Sequence, residues 1–208
     1  MREIYIIKIG SSTLVNKSRT PNKLRIAHIA DQLKILKKFN VDVVLVISGA
    51  VACGSRFINL DIENIKLRQI AAGIGQVCLS SVFNKEFSKK GLNIAQILIT
   101  KKDLSNLKKV ENLQQTLRYY LDAGIIPVIN ENDVIELNSF NGNDLLAAEI
   151  TKLMNGNKLI ILSSWKKSLF GVGGGETKVQ AVLYLTKSNI VTSIVNGKSK
   201  NILLKQIL

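Results

Sequence analysis

A chain of 208 residues with 46% hydrophobic side chains can fill a folded core, and no apolar stretch approaches the ~20 residues of a membrane-spanning helix. Its net charge of +14 would suit nucleic acid, yet Lys34, Lys37, Lys38, Lys89, Lys90, Lys101, Lys102, Lys108 and Lys109 scatter over several segments without interleaved aromatics. Nucleic acid is therefore not expected as the main partner, and attraction of anionic small molecules is the milder consequence of the same field. 

The first element is the apolar run Ile4 to Ile9, which reads as a buried strand followed by the polar loop Gly10-Ser11-Ser12-Thr13. Lys8 interrupts this strand. A buried ammonium needs an anionic partner, whereas on a solvent-facing strand position it would need none, and the sequence leaves both readings open. Next, Pro21 to Phe39 reads as a helix with Thr20 as N-cap and proline at its first position. His28, the one histidine, falls off its apolar stripe of Ile26, Ile29, Ala30, Leu33 and Leu36, which predicts an exposed side chain with no catalytic task. 

Further strand-like runs follow at Val43 to Ile47, Ile94 to Ile99, Ile125 to Ile129, Leu159 to Leu162 and Ile190 to Val195. Their alternation with helical patterns predicts an α/β fold, a three-layer α/β/α sandwich on a mostly parallel central sheet. Gly73 and Gly75, inside the helical stretch Lys66 to Lys90, predict close approach of a backbone or a ligand. Cys53 and Cys78 lack Cys-x-x-Cys spacing, so neither a disulfide framework nor a zinc site is expected. Charged residues within the first eight positions break any signal peptide, which predicts a cytoplasmic protein with no membrane partner.

Polar clusters follow the strands, at the edge where open α/β sheets place ligands. Ser48-Gly49-Ala50-Val51-Ala52-Cys53-Gly54 either offers free N–H groups to a carboxylate or opens on a plain serine cap. Asn130-Glu131-Asn132-Asp133 and Asn141-Gly142-Asn143-Asp144 suit an amino group or a hydrated Mg²⁺, and equally suit turns. The last cluster is Gly171-Val172-Gly173-Gly174-Gly175-Glu176-Thr177-Lys178, followed by helix-forming residues to Leu185. Such a glycine loop can turn N–H groups toward a polyphosphate with Lys178 meeting the phosphate, or be a simple loop. It lacks the Gly-Lys-Ser/Thr ending of a P-loop, and Glu176 stands where a dinucleotide fingerprint has glycine.

These blocks together resemble the glutamate 5-kinases of the amino acid kinase family, nearly end to end. The resemblance is carried by Lys8-Ile9-Gly10-Ser11-Ser12, Val46-Ile47-Ser48-Gly49-Ala50-Val51-Ala52, Gln69-Ile70-Ala71-Ala72-Gly73-Ile74-Gly75-Gln76, Gln96 to Thr100, Pro127 to Asp133 and the glycine loop ending in Thr177-Lys178. It implies transfer of the γ-phosphoryl group of ATP, with Mg²⁺, to the side-chain carboxylate of L-glutamate, the first step of proline biosynthesis. By position, Lys8 and Lys178 would be catalytic, and Ser48, Asp133 and Asn143 would contact glutamate. Lys8, Gly10, Ser163, Ser164, Gly171, Val172, Gly173, Gly174, Gly175, Glu176, Thr177 and Lys178 would contact ATP. No protein metal ligands are assigned. A homo-oligomer and hand-off to a glutamyl phosphate reductase are also implied.

The resemblance further implies a single kinase domain over residues 1–208, with a glutamate-binding lobe to about residue 155, a curtailed nucleotide lobe over 156–208, and no C-terminal PUA domain. Ser163-Ser164-Trp165 stands where the family has an aspartate that organises the lysines, and Gly142 replaces a further acidic residue. A stretch between Phe170 and Gly171 that serves the nucleotide in relatives is skipped. The alternative to an active kinase is a catalytically impaired relic or a regulatory protein that binds glutamate or nucleotide.

Overall fold

The computed structural model describes residues 2–59, 61, 63–163 and 175–208. Among the described residues, six strands form one sheet: β1 (Glu3–Ile9), β2 (Val41–Ile47), β3 (Ile94–Ile99), β4 (Ile126–Glu131), β5 (Lys158–Ser163) and β6 (Val191–Asn196). Their spatial order is β3-β4-β2-β1-β5-β6, and every pairing is parallel. All six sequence-predicted strands are present, each within two residues of the expected bounds. Parallel strands require crossover connections, and the helices that make them cover both faces of the sheet.

β1 lies at the centre, and side chains along it alternate between two cores. Tyr5, Ile7 and Ile9 face a core built with α2 (Lys23–Leu36), α4 (Ile65–Ser88) and α8 (Ile202–Ile207), which contribute Leu33, Phe83, Phe87 and Leu203. Ile4 and Ile6 face the opposite core, where α5 (Leu107–Asp122), α6 (Asn143–Leu153) and α7 (Gly175–Thr186) contribute Leu117, Ala147, Ile150, Ala181 and Leu185. The same alternation sends Lys8 to the α6 side. Two short helices, α1 (Ser11–Leu14) and α3 (Ala50–Gly54), follow β1 and β2 directly.

Two local expectations are corrected, and one open alternative is decided. α2 starts at Lys23 and not at Pro21, because Pro21 is tied to Val15 in a β-bridge and the Asn22 side chain caps the helix by accepting from the Arg25 N–H at 3.1 Å. Ser48 does not cap α3. Gly49 holds that position at φ 110°, a backbone shape that favours glycine. His28 is half-buried, with Nε2 3.2 Å from Asn201 Oδ1 of the α8 cap, so it joins α2 to the C-terminal helix. Both cysteines are free thiols, and burial pushes the Cys53 thiol up to about 12.

Of the two α4 glycines, Gly75 alone marks a close backbone approach. A Cβ built on it would stand 1.8 Å from the Ala50 carbonyl oxygen, and one on Gly54 would stand 1.8 Å from that of Ala71. α3 and α4 therefore touch backbone to backbone, which holds Ser48 and Gly49 hard against the sheet edge. At Gly73 a Cβ would meet only Val134, at an ordinary 3.4 Å.

Candidate active site

The sequence-predicted residues within the described regions gather at the carboxyl edge of the parallel sheet. β1 and the residue after it deliver Lys8 and Gly10, the residue after β2 is Ser48, the end of β4 and the turn after it deliver Asn130 to Asp133, and the first turns of α6 and α7 deliver Asn143, Asp144, Thr177 and Lys178. Ser164, Gly171, Val172, Gly173 and Gly174 lie outside the described residues.

Asp144 is the centre of this edge. It is fully buried, in the first turn of α6, and its Oδ1 lies 2.7 Å from Lys8 Nζ while its Oδ2 lies 3.2 Å from Lys178 Nζ. The Thr177 hydroxyl donates to the same Oδ2 at 2.9 Å. Burial alone would push this carboxyl up, but the two ammonium groups and the hydroxyl outweigh it and hold Asp144 below the usual carboxylate range. Burial pulls the Lys8 ammonium down, and the attraction of Asp144 opposes it. Lys8 is thus the paired strand lysine of the two readings left open by the sequence, with 5% of its surface exposed. The acidic group that looked missing after β5 is supplied by α6.

Lys178 is brought there by helix packing. α7 is fixed to α6 by the Tyr184 hydroxyl, which donates to Glu149 Oε2 at 2.9 Å, and Lys152 Nζ lies 5.2 Å from the centre of the Tyr184 ring. Beside Lys8, the Gly10 N–H donates to the Leu162 carbonyl at 2.9 Å, and a Cβ on Gly10 would stand 3.7 Å from Lys8 Nζ. Glycine there keeps the space next to the ammonium open. Ser163 ends β5 half-buried, while Gly175 and Glu176 are exposed on the first turn of α7.

The other half of the edge is built from amides and carboxylates. Ser48 Oγ donates to the Ile9 carbonyl at 3.2 Å, and Asn143 Nδ2 donates to the neighbouring Ile47 carbonyl and, at 2.6 Å, to Asn130 Oδ1. Asp133 accepts from the Asn138 N–H at 3.0 Å and is pushed up by burial. The loop after it is pinned to α4 by Gln69 Nε2, which donates to the Val134 carbonyl at 3.0 Å. Glu131, 3% exposed, is pushed up to about 7 by burial and by the charge of Asp133, against the N–H groups of Phe140 and Ser139 and the Lys8 ammonium. Gly142, where the family's acidic residue was expected, has φ 123°, so an aspartate there would be strained in this backbone.

Asn143 and Asp144 are neighbours, so one helix terminus serves both halves: the amide faces the Ser48 side and the carboxylate faces the lysines. Sequence reasoning overlooked the bridging role of Asp144. A usable signal existed, since Asp144, Ala148 and Thr151 form one buried helical stripe and an acid on such a stripe needs a cation.

The amino acid kinase family model matches residues 3–166. The chain is 34% identical to the glutamate 5-kinase of Clostridium acetobutylicum, over 94% of this chain and 87% of that enzyme. The chain belongs to the amino acid kinase family, as a member of its glutamate 5-kinases. It is 33% identical to the Alkaliphilus oremlandii glutamate 5-kinase, over 96% of this chain and 90% of that one. Against glutamate 5-kinase 2 of Bacillus subtilis the identity is 39%, over 76% of this chain and 44% of that protein. The Clostridium alignment runs over 232 positions, more than the 208 residues of this chain, so that relative has positions this kinase-family chain lacks. Among solved structures, UMP kinase from Ureaplasma parvum superimposes with a TM-score of 0.65 at 10% identity, over 100% of this chain and 95% of that one. An isopentenyl phosphate kinase superimposes with 0.66 at 14%, over 98% and 95%. At those identities the likeness establishes the family fold.

Proposed function

We propose that the protein transfers the γ-phosphoryl group of ATP to the side-chain carboxylate of L-glutamate, forming L-glutamyl 5-phosphate. The observation that carries this reading is the meeting of Lys8 and Lys178 on Asp144, which holds two ammonium groups from distant segments beside one open glycine, Gly10. In the reaction a carboxylate oxygen forms the new bond to the γ-phosphorus as the bond to the departing ADP oxygen breaks. The nucleophile is already ionised, so no strong base is required. What the protein must supply is alignment and positive charge around the transferring group.

Lys8 and Lys178 are assigned to that charge and Asp144 to their positioning. Ser48, Asp133 and Asn143 are assigned to glutamate, and Gly10, Ser163 and the residues leading to Lys178 to the nucleotide. Magnesium enters with ATP as part of the substrate. Residues up to about 155 act as the glutamate lobe and 156–208 as a shortened nucleotide lobe of one kinase domain. Glutamyl phosphate is a reactive acyl phosphate, which favours rapid consumption by a reductase, and the family precedent favours a homo-oligomer in the cytoplasm. Among the described residues no helix is long and apolar enough to cross a membrane.

The test is a hydroxylamine trap for glutamyl phosphate with ATP, Mg²⁺ and glutamate. Glutamate-dependent hydroxamate is expected. None at high protein concentration would reject the kinase reading and leave the impaired or regulatory binding protein.

A further inference from the structure

Behind Asn143 runs a row of amides whose hydrogen-bond polarity is fixed by the backbone at two points. Asn143 Nδ2 donates both to the Ile47 carbonyl and to Asn130 Oδ1. A backbone carbonyl can only accept, so the Asn143 amide cannot be turned around without losing that contact. Asn130 is fixed independently, because the Glu131 N–H, which can only donate, donates to the same Asn130 Oδ1 at 2.9 Å. Asn130 Nδ2 therefore points toward α4 and donates to Gln76 Oε1 at 2.8 Å, and Gln76 Nε2 donates onward to Ser80 Oγ at 3.2 Å. Asn130 is 1% exposed, so without the Gln76 oxygen a buried N–H would be stranded and rotation of the amide would compete with the native arrangement.

With its nitrogen committed to the protein, Asn143 has one polar side-chain atom left, Oδ1, and among the described residues no hydrogen bond reaches it. An acceptor at this edge selects a cationic N–H and repels a carboxylate. We infer that Gln76 is a positioning residue which, through Asn130 and together with the Ile47 carbonyl, holds Asn143 as the acceptor for the α-ammonium group of the amino-acid substrate. This role, which rests on the reading of Asn143 as a glutamate contact, makes the site distinguish an amino dicarboxylate from the same dicarboxylate without its amino group.

Calorimetric titration of the full chain with L-glutamate and with glutarate tests it, in the wild type, Gln76→Met and Gln76→Glu. The wild type is expected to bind glutamate at least about tenfold more tightly than glutarate. Gln76→Met, similar in length but without the acceptor, is expected to bring the two affinities within about threefold, chiefly by weakening glutamate. Gln76→Glu keeps an oxygen for Asn130 Nδ2 and restores the preference. Equal weakening of both ligands in Gln76→Met, a preference that survives it, no rescue by Gln76→Glu, or a wild type that does not separate the two ligands would each overturn the assignment. Should thermal unfolding show that Gln76→Met does not fold, Gln76→Ala carries the same prediction. A preference for glutamate that is lost in Gln76→Met and restored in Gln76→Glu, in a chain that forms no glutamyl phosphate, would sink the kinase reading and support the role of Gln76.

Discussion

Lys8 and Lys178 reach opposite oxygens of one carboxylate, Asp144, at 2.7 and 3.2 Å. One lysine comes from the central strand and the other from the first turn of α7, and they are held in place for different reasons. Lys8 is buried and would be expelled or neutralised without an anion, while Lys178 sits at a helix start that is tied down by Thr177 and Tyr184. A pair of cations held close by a shared anion is prepared to receive a phosphate without having to move together first, and this preparation is what the kinase reading needs.

Asp144→Asn tests the bridge. It removes the charge that compensates a buried ammonium, so unfolding by urea should show a loss of about 3 kcal/mol, and turnover in the hydroxamate assay should fall at least about a hundredfold. A stability change below about 1 kcal/mol would mean that Lys8 is compensated elsewhere.

Lys8→Met should behave differently on the two measurements. Methionine fills most of the lysine volume and adds no buried charge, and Asp144 keeps Lys178 and Thr177 as partners. Stability is expected to stay within about 1.5 kcal/mol of the wild type, while turnover drops at least about a hundredfold. Lys178→Met is expected to show the same loss of turnover. An unchanged rate in either variant would remove that lysine from the reaction.

Much of this architecture was legible in the residues. Runs such as Ile4 to Ile9 are short, apolar and β-branched, and a parallel sheet buried on both faces selects for that composition. Local cues were less reliable where a tertiary contact competed. Thr20-Pro21 has the chemistry of a helix start, yet the bridge from Val15 to Pro21 claims that segment and passes the cap to Asn22. The lysines were visible individually, but their common anion was not. The cluster at Asn141 to Asp144 reads either as a ligand site or as a turn, with nothing in it that points to a lysine, and only the packing of α6 across β1 carries Asp144 to Lys8. The exposure of His28 was misjudged for the same reason, since its partner Asn201 belongs to the far end of the chain.

Glu131 makes stability depend on pH in a defined direction. Its carboxyl is raised from the ordinary 4.5 to about 7, so between those values the folded chain keeps a proton that the unfolded chain has released. The contribution of this group is therefore most favourable below pH ~4.5, declines as pH rises toward about 7, and stays low above it, a span of at most about 3 kcal/mol. Glu131→Gln abolishes the titration and retains an oxygen for the Phe140 N–H. Relative to the wild type, the variant should gain stability between pH 5 and pH 8 in urea unfolding. An equal difference at the two pH values would show that Glu131 titrates in its ordinary range.

The α4 glycines allow a test with opposite signs at neighbouring sites. At Gly73 an added methyl meets only Val134 at 3.4 Å, and alanine is the better helix former, so Gly73→Ala is expected to stabilise by up to about 1 kcal/mol. At Gly75 the methyl would overlap the Ala50 carbonyl oxygen at 1.8 Å and the Gly54 nitrogen at 2.6 Å, both of them backbone atoms that cannot swing aside. Gly75→Ala must push α3 away from α4, at a cost of about 2–3 kcal/mol. Because α3 begins immediately after Ser48 and Gly49, the same displacement should raise KM for glutamate more than KM for ATP. Matching melting temperatures and matching glutamate KM values for the two variants would show that the α3–α4 contact is not what holds this part of the site.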